Sequence, residues 1–194
     1  MTHLEPAEAE VLERACASTA TVLAVVRAAE FDLPTPCLSW TVRDVINHVI
    51  GSAAFYAGLA ETGTMPASDE DADHTAADFG AAFARQADRV VAAFSAPGAM
   101  DKIMEMPFGG IPGSVCVWMA AGDIFTHGWD LAKATGQPSD LDPELAERLL
   151  ARIERLLPDT MRGPEGQAPF GPKVEVAGSA PAADRLAAFE GRRP

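Results

Sequence analysis

The sequence predicts an all-α protein, a four-helix bundle with an extra C-terminal helix and a loop-rich tail. Long stretches of the chain place apolar residues three and four positions apart, which is typical of helices that bury one face. Proline- and glycine-rich stretches separate them, and several begin with residue pairs typical of a helix start. Because 48% of the 194 residues are hydrophobic, the chain can bury a substantial core, and we expect one domain over residues 1–194.

The first two helices are predicted over residues 7–29 and from Thr41 to about Ala60. Residues 7–29 carry an apolar stripe without glycine or proline, and Pro6 ahead of them suits a first helical turn. Two prolines in FDLPTPCLSW end this helix. TVRD starts the next one, because Thr41 can cap it while Asp44, three residues on, bonds back to the backbone of Thr41.

A third helix is predicted after a polar loop, from the start signal at Thr75 and Asp78 to the sequence SAPG. Residues 99–113 contain MPFGGIPG and are too rich in glycine and proline for a regular helix. A fourth helix follows over residues 114–135 and is closed by Gly136.

The C-terminal part of the chain adds one more long helix and the tail. The fifth helix, residues 142–157, begins with an Asp-Pro pair that suits a cap and a first turn. Residues 158–194 are loop-rich, with one short strand predicted at 174–176 and one short helix at 182–189. This segment has too few apolar residues for a core of its own, so we expect it to wrap the bundle.

Composition excludes several classes of partner. Acidic residues outnumber basic ones 28 to 15 and give a net charge of −13, which repels phosphate backbones and anionic lipids, so we expect no nucleic-acid or membrane partner. No stretch approaches the roughly 20 apolar residues of a spanning helix, and the N-terminus MTHLEPAEAE is acidic where a signal peptide is basic. We therefore expect a cytoplasmic protein. Cys16, Cys37 and Cys116 lack CxxC spacing and are expected to be small buried thiols.

Three residues stand out as candidates for a metal site. Asp123 and His127 lie four apart in the fourth helix, on a face whose other residues are mostly apolar or small. A buried carboxylate must be paired, protonated or bound to a cation, and this spacing lets one helix supply two metal ligands. His48 in the second helix also has mostly apolar neighbours and is the third candidate. Two imidazoles and one carboxylate suit a divalent metal with open positions.

The residues alone leave other interpretations open. A hydrogen-bonded carboxylate–imidazole pair without a metal is common at this spacing, and an ordinary half-buried histidine would explain His48. Asp44 lies one turn before His48 and is a candidate to orient its ring, but a carboxylate at a helix N-terminus is the more ordinary role. His3, near the terminus, and His74, in the acidic loop DEDADH, are expected to be solvated.

Common catalytic motifs are absent from the sequence. No GxSxG, phosphate-binding loop, GxGxxG or HExxH occurs, which excludes the usual signatures of serine hydrolases, nucleotide-binding proteins and zincins. Trp40, Trp118 and Trp129 are expected to pack in the core or at the end of the bundle rather than to form a substrate platform. No catalytic residue is identified beyond the candidate ligands.

Several stretches together carry a resemblance to a known family: TPCLSWTVRDVINHVIG, PFGGIPG, DIFTHGWDLAKATGQ, and the closing FGPKVEV and ADRLAAFEGRRP. The chain resembles, over nearly its whole length, the actinobacterial DinB-like metal-binding proteins related to mycothiol-dependent maleylpyruvate isomerase. The most specific pieces are W-T-V-R-D-x3-H, which ends at His48, and D-x3-H-G-W-D-L-A-x-A-T-G, which begins at Asp123.

The resemblance implies a DinB-like four-helix bundle that holds a divalent metal, often zinc or nickel, between its helices, with His48, Asp123 and His127 as the ligands. Many DinB-like proteins use three histidines, whereas the isomerase has a carboxylate where this chain has Asp123. The isomerase also carries a C-terminal domain that contributes to its active site, where this chain has a short tail. The resemblance therefore implies the type of site rather than the isomerase reaction.

By the same resemblance, the metal would lower the pKa of a low-molecular-weight thiol such as mycothiol, or would activate a water molecule. The implied function is a metal-dependent transferase or isomerase that uses a thiol cofactor on a small electrophile. The alternative is a metal-binding protein without catalysis, in which the metal has a structural or sensing role. A homodimer through the helix faces is compatible with the sequence.

Overall fold

A computed structural model describes residues 7–67, 72–164 and 167–194, so that Pro6 and His3 lie outside the described residues. The elements are helices α1 (Ala7–Leu23), α2 (Val42–Thr62), α3 (Phe79–Ser95), α4 (Gly113–Ala134), α5 (Pro143–Leu156) and α6 (Ala182–Phe189), with strands β1 (Ile103–Met106) and β2 (Gly109–Pro112) between α3 and α4.

Helices α1 to α4 form the predicted bundle. Helix α1 packs against α3 and α4, and α2 packs against the same two helices, which closes a ring of four around one core. The all-α expectation is confirmed. Side chains from all four helices, Leu12, Ile46, Phe83 and Phe125 among them, are almost fully buried in this core.

The start of α2 follows the predicted capping pattern. The Thr41 hydroxyl accepts a hydrogen bond from the backbone N–H of Asp44, and the Asp44 carboxylate accepts one from the backbone N–H of Thr41 at 2.8 Å. The helix ends at Gly63, whose φ of 81° is readily adopted only without a side chain. Asp44 therefore caps α2, the more ordinary of its two predicted roles.

Two helix bounds differ from the prediction. Helix α1 ends at Leu23 rather than near residue 29, because the backbone of Arg27 is extended and precedes a separate 3-10 turn, Ala28–Glu30. The backbone N–H and the guanidinium of Arg27 both donate to the Glu30 carboxylate. Helix α3 begins at Phe79 with Asp78 as its cap. The predicted start at Thr75 instead lies in a short 3-10 turn.

A small hairpin was not predicted. Residues 99–113 were expected to be irregular, but strands β1 and β2 pair antiparallel there, with Met106 opposite Gly109 at the turn. Met104 is fully buried, so the hairpin is anchored on the bundle by this side chain. The short strand predicted at 174–176 is wrong: Val174 donates its backbone N–H to the Ala188 carbonyl of α6, and no strand is formed there.

In the described part of the tail, α6 has the predicted bounds and contacts α4 and α5. The indole N–H of Trp129 in α4 donates to Asp184 of α6 at 2.8 Å. Arg162 donates to the carbonyls of Gly171 and Phe189, which ties the loop after α5 to the end of α6. The last residues of the chain are thereby held beside α4.

Within the described residues, no helix combines the length and the apolar character that crossing a membrane requires.

Candidate metal centre

The structure brings the three candidate ligands together. His48 lies on α2, and Asp123 and His127 lie on successive turns of α4, which packs against α2. The Asp123 Oδ1 atom is 3.3 Å from His48 Nε2 and 3.5 Å from His127 Nε2. One donor atom from each of the three residues lies within 4.8 Å of the other two. Two imidazole nitrogens and one carboxylate oxygen are a donor set that suits a divalent metal.

The second oxygen of Asp123 is held by a residue that the sequence reasoning missed. Ser52 donates its hydroxyl to Asp123 Oδ2. Ser52 follows His48 by four residues, so the two side chains leave α2 on the same face. This spacing was the signal available in the sequence. The hydroxyl leaves Oδ1 as the oxygen that faces both imidazoles.

The other ring nitrogen of His127 also has a buried partner. Its Nδ1 atom is 3.0 Å from Asp130 Oδ2, one helical turn further along α4. Asp130 is completely buried, and Arg192 from the end of the chain donates to both of its oxygens, at 3.4 and 3.2 Å. A carboxylate on Nδ1 fixes the ring and directs Nε2 toward Asp123, an arrangement that metal-binding histidines commonly share.

The electrostatics of the cluster favour positive charge. Burial acts to lower the pKa of His127, but the carboxylates of Asp123 and Asp130 outweigh it and raise this pKa to about 9. Burial also acts against the charged form of Asp123, yet the two imidazoles hold the pKa of its carboxyl well below the ordinary value. Asp130 remains charged for the same kind of reason, because Arg192 and His127 lower its pKa against the effect of burial.

Trp40 packs against the core as expected and also lies against both histidines. Its ring centroid is 4.6 Å from that of His48 and 5.4 Å from that of His127. The Trp40 and His127 rings are stacked, with an angle of 26° between their planes. The loop before α2 places it there, since the Thr35 hydroxyl contacts the carbonyl oxygens of Cys37 and Trp40 at 3.0 and 2.9 Å. Sequence periodicity carries no signal for a contact made by a loop.

The cluster opens into a large cavity of about 1490 Å³. Its walls are mostly apolar and come from α2, α4, α5, the hairpin and the tail, with Phe55, Met106, Met119, Ile153 and Phe170 among them. Trp118 packs against the core as expected and also lines this cavity, and Trp129 is fully buried as expected.

Cys37 lines the cavity too, while Cys16 and Cys116 are buried as expected. Cys37, His127 and Asp130 offer a second group of donors within 4.8 Å of one another. Asp130 is already ion-paired with Arg192, and a cation there would meet the guanidinium. This second group is therefore the poorer candidate for a metal site.

The fold and this arrangement define a class: four-helix-bundle proteins with a set of metal-type donors projecting inward from facing helices. Residues 12–132 match the model of the mycothiol maleylpyruvate isomerase N-terminal domain family. The match covers more than half of the chain, and the protein belongs to this family. The resemblance identified in the sequence is confirmed.

The chain is also similar to uncharacterized mycobacterial proteins and, in fold, to solved structures. Uncharacterized proteins of two Mycobacterium tuberculosis strains are each 41% identical to the chain over 180 residues, 93% of this chain and 94% of theirs. Crystal structures of the mycothiol-dependent maleylpyruvate isomerase and of a mutant of it share the fold, each with a TM-score of 0.59 over 78% of this chain and 71% of theirs, at 22% and 21% identity.

Proposed function

We propose that the protein binds a divalent metal, zinc or nickel, through His48, Asp123 and His127, and that it uses a low-molecular-weight thiol of the mycothiol type to act on a small electrophile. The reaction class is a thiol-dependent transfer or isomerization. The observation that carries the proposal is the convergence of two imidazoles on one carboxylate oxygen at the wall of a large cavity.

The surrounding residues fit such a metal. Both histidines face Asp123 with Nε2, and Asp130 holds the remaining ring nitrogen of His127. The two carboxylates raise the affinity of this place for positive charge, as the raised pKa of His127 indicates. When bound, a divalent metal would lower the pKa of a coordinated thiol and so make a thiolate available at neutral pH.

The protein's own side chains have distinct tasks in this proposal. Ser52 holds Asp123 and thereby keeps one carboxylate oxygen directed at the imidazoles. Trp40 covers the two rings on one side. A ligand that fills the apolar cavity would exclude bulk water from the reacting groups, which strengthens electrostatic interactions within the site. The choice of thiol is supported by the family, which is named for a mycothiol isomerase, and by the structural likeness to a mycothiol-dependent enzyme.

Metal content tests the ligand assignment. Protein purified without a metal-affinity column is analysed for zinc and nickel, as wild type and as the His48→Ala, His127→Ala double variant. We expect close to one metal per wild-type chain and almost none in the double variant. His74→Ala is the matched control, because His74 lies in a 3-10 turn and is not one of the clustered donors, so its loss should leave the metal content unchanged. Equal metal content in wild type and double variant would contradict the assignment.

A second measurement separates catalysis from a purely structural or sensing metal. Mycothiol is titrated into the metal-loaded protein, and thiol consumption is followed with a panel of small electrophiles. We expect saturable mycothiol binding and metal-dependent turnover. If removal of the metal lowers the melting temperature while mycothiol neither binds nor reacts, the structural or sensing role is correct instead.

A further inference from the structure

Two buried N–H donors on the cavity wall have no hydrogen-bond partner among the described residues. They are the indole Nε1 of Trp118, on α4, and the guanidinium Nε of Arg152, on α5. The guanidinium carbon of Arg152 lies 5.3 Å from the Trp118 ring centroid, so the two side chains are neighbours. Both line the cavity that holds the candidate metal centre. Buried donors without acceptors are uncommon in folded proteins because leaving them unpaired is unfavourable.

Arg152 differs in this respect from the other arginine of the cavity. Arg192 is ion-paired with Asp130 and with Glu190, at 3.2 and 3.3 Å. Within residues 7–67, 72–164 and 167–194, Arg152 pairs with no carboxylate, and its guanidinium instead contacts the Trp118 ring. Its charge is therefore available to a ligand, and two adjacent donors beside a positive charge complement an anionic acceptor.

The rest of the cavity suits an apolar ligand. Its volume of about 1490 Å³ exceeds the roughly 300–1,000 Å³ of most small-molecule sites. Four large apolar side chains that line it remain exposed, namely Leu38 (65%), Phe108 (56%), Met65 (50%) and Leu156 (45%). An apolar ligand would cover such side chains, and their exposure in one place is a mark of a binding site.

We propose that Trp118 and Arg152 bind the carboxylate of the substrate, and that the substrate is an otherwise apolar molecule with a single carboxylate. This inference rests on the proposed function for the substrate's role as the electrophile, but the binding itself does not need the metal. Trp118 precedes Asp123 by five residues on α4, about 7.5 Å along the helix axis. The carboxylate subsite and the metal centre therefore lie on the same helix at separate levels.

Octanoate is the probe that tests the subsite. Two comparison ligands each keep one of its features: 1-octanol has the apolar chain without the charge, and acetate has the carboxylate without the chain. Isothermal titration should show that octanoate binds more tightly than 1-octanol and that acetate binds weakest. Arg152→Gln should weaken octanoate binding about tenfold or more, the loss expected for a hydrogen-bonded charge, and should leave 1-octanol binding unchanged. Trp118→Phe keeps the ring and loses the N–H, so it should weaken octanoate binding to a smaller extent.

Arg155→Gln is the matched control. Arg155 lies one turn after Arg152 on α5. It lines a surface groove of about 260 Å³ that Trp118 and Arg152 also border, but it does not line the large cavity. Its replacement removes the same charge and should change octanoate affinity less than twofold. Equal losses in both arginine variants, or equal affinity of wild type for octanoate and 1-octanol, would overturn the subsite.

The same titration in the His48→Ala, His127→Ala protein separates this inference from the proposed function. We expect octanoate affinity to survive there, because Trp118 and Arg152 are intact. If octanoate affinity instead follows the two histidines and is indifferent to Arg152→Gln, the carboxylate binds at the metal centre and the subsite is wrong. A failed metal or mycothiol assay with an intact octanoate result would refute the proposed function alone.

Discussion

At the level of single residues, the candidate centre depends on two aspartates whose tasks differ. Asp123 lies between the two imidazoles, and its second oxygen is fixed by Ser52. Asp130 touches only one of the histidines and is in turn neutralised by Arg192. The first is a proposed ligand, whereas the second acts by holding His127 in one orientation.

Asp130→Asn should weaken metal binding about tenfold to hundredfold, the usual effect of losing the outer partner of a metal-binding histidine. The amide can still contact Nδ1, but the negative charge that favours His127 as a donor is gone. Competition with a chelating dye measures the affinity, and circular dichroism verifies that the variant is folded. The exposed Asp140→Asn is the control. Unchanged affinity in Asp130→Asn would show that the orientation of His127 does not depend on this contact.

The titration of Glu190 should make the free energy of unfolding fall as the pH rises. Burial raises the pKa of its carboxyl to about 7 from an ordinary value of 4.5, although the charge of Arg192 acts in the opposite direction. The folded protein therefore binds this proton more tightly than the unfolded chain. This tighter proton binding stabilises the folded protein. The contribution to the free energy of unfolding is complete below pH 4.5 and is lost as the pH rises through about 7.

Glu190→Gln removes this titration, so its stability relative to wild type should rise by up to about 3 kcal/mol between pH 4.5 and pH 8. Urea unfolding of both proteins at the two pH values, with a chelator present, measures the difference. Parallel pH profiles for the two proteins would mean that Glu190 titrates in the folded protein as it does in the unfolded chain.

The sequence alone identified the central residues of the site but not all of its surroundings. His48, Asp123 and His127 were identified through helical spacing and the family motifs, and Ser52 was within reach of the same spacing argument. The sequence did not predict the contact of Trp40 with the two histidines, because a loop brings Trp40 there. The pairing of Arg192 with Asp130 joins residues 62 positions apart, and no local pattern encodes such a contact.

At the level of elements, local capping signals predicted the starts of α2 and α5. Asp142 caps α5 through the N–H of Leu145, and Thr41 caps α2, both as predicted. The spacing of apolar residues did not predict where α1 ends, because the same apolar pattern continues from α1 into the 3-10 turn that follows it. It also failed for the hairpin, since each strand has only four residues and the second is rich in glycine and proline, which leaves too short a period-two pattern to detect.

The contact between α1 and α4 depends on a glycine. A Cβ atom at Gly128 would collide with the side chain of Thr19, whose hydroxyl donates to the Ile124 carbonyl of α4 at 2.9 Å. Gly128→Ala should therefore destabilise the bundle by about 1–3 kcal/mol, the cost of overpacking. Denaturant unfolding measures the change in the free energy of unfolding.

Gly122 on the same helix provides the matched control, because a Cβ there would meet nothing within 4 Å. Gly122→Ala should be neutral or stabilising by up to about 1 kcal/mol, since glycine weakens a helix interior. Adding Thr19→Ala to Gly128→Ala should recover part of the loss. Equal effects of the two glycine changes would mean that α1 and α4 can move apart at no cost.

At the level of the whole molecule, the tail contributes to the site from the far end of the chain. Helix α6 packs on α5 and contacts α4, and the residues after it place Arg192 against Asp130. That residues 1–194 form one domain stays a prediction. It has a clear consequence, because a tail that belongs to the same cooperative unit must share its unfolding transition.

Arg192→Met tests this consequence. The change leaves the fully buried Asp130 without its cation, and breaking a buried ion pair from one side costs about 3–5 kcal/mol. If bundle and tail unfold together, the loss lowers the single midpoint seen in urea, followed by circular dichroism and by tryptophan fluorescence.

Arg193→Met is the control, since Arg193 is exposed and its loss should change little. Adding Asp130→Asn to Arg192→Met should recover part of the stability, because the unpaired charge is then removed. A bundle midpoint unaffected by Arg192→Met would show that the tail unfolds separately and that the one-domain prediction is wrong.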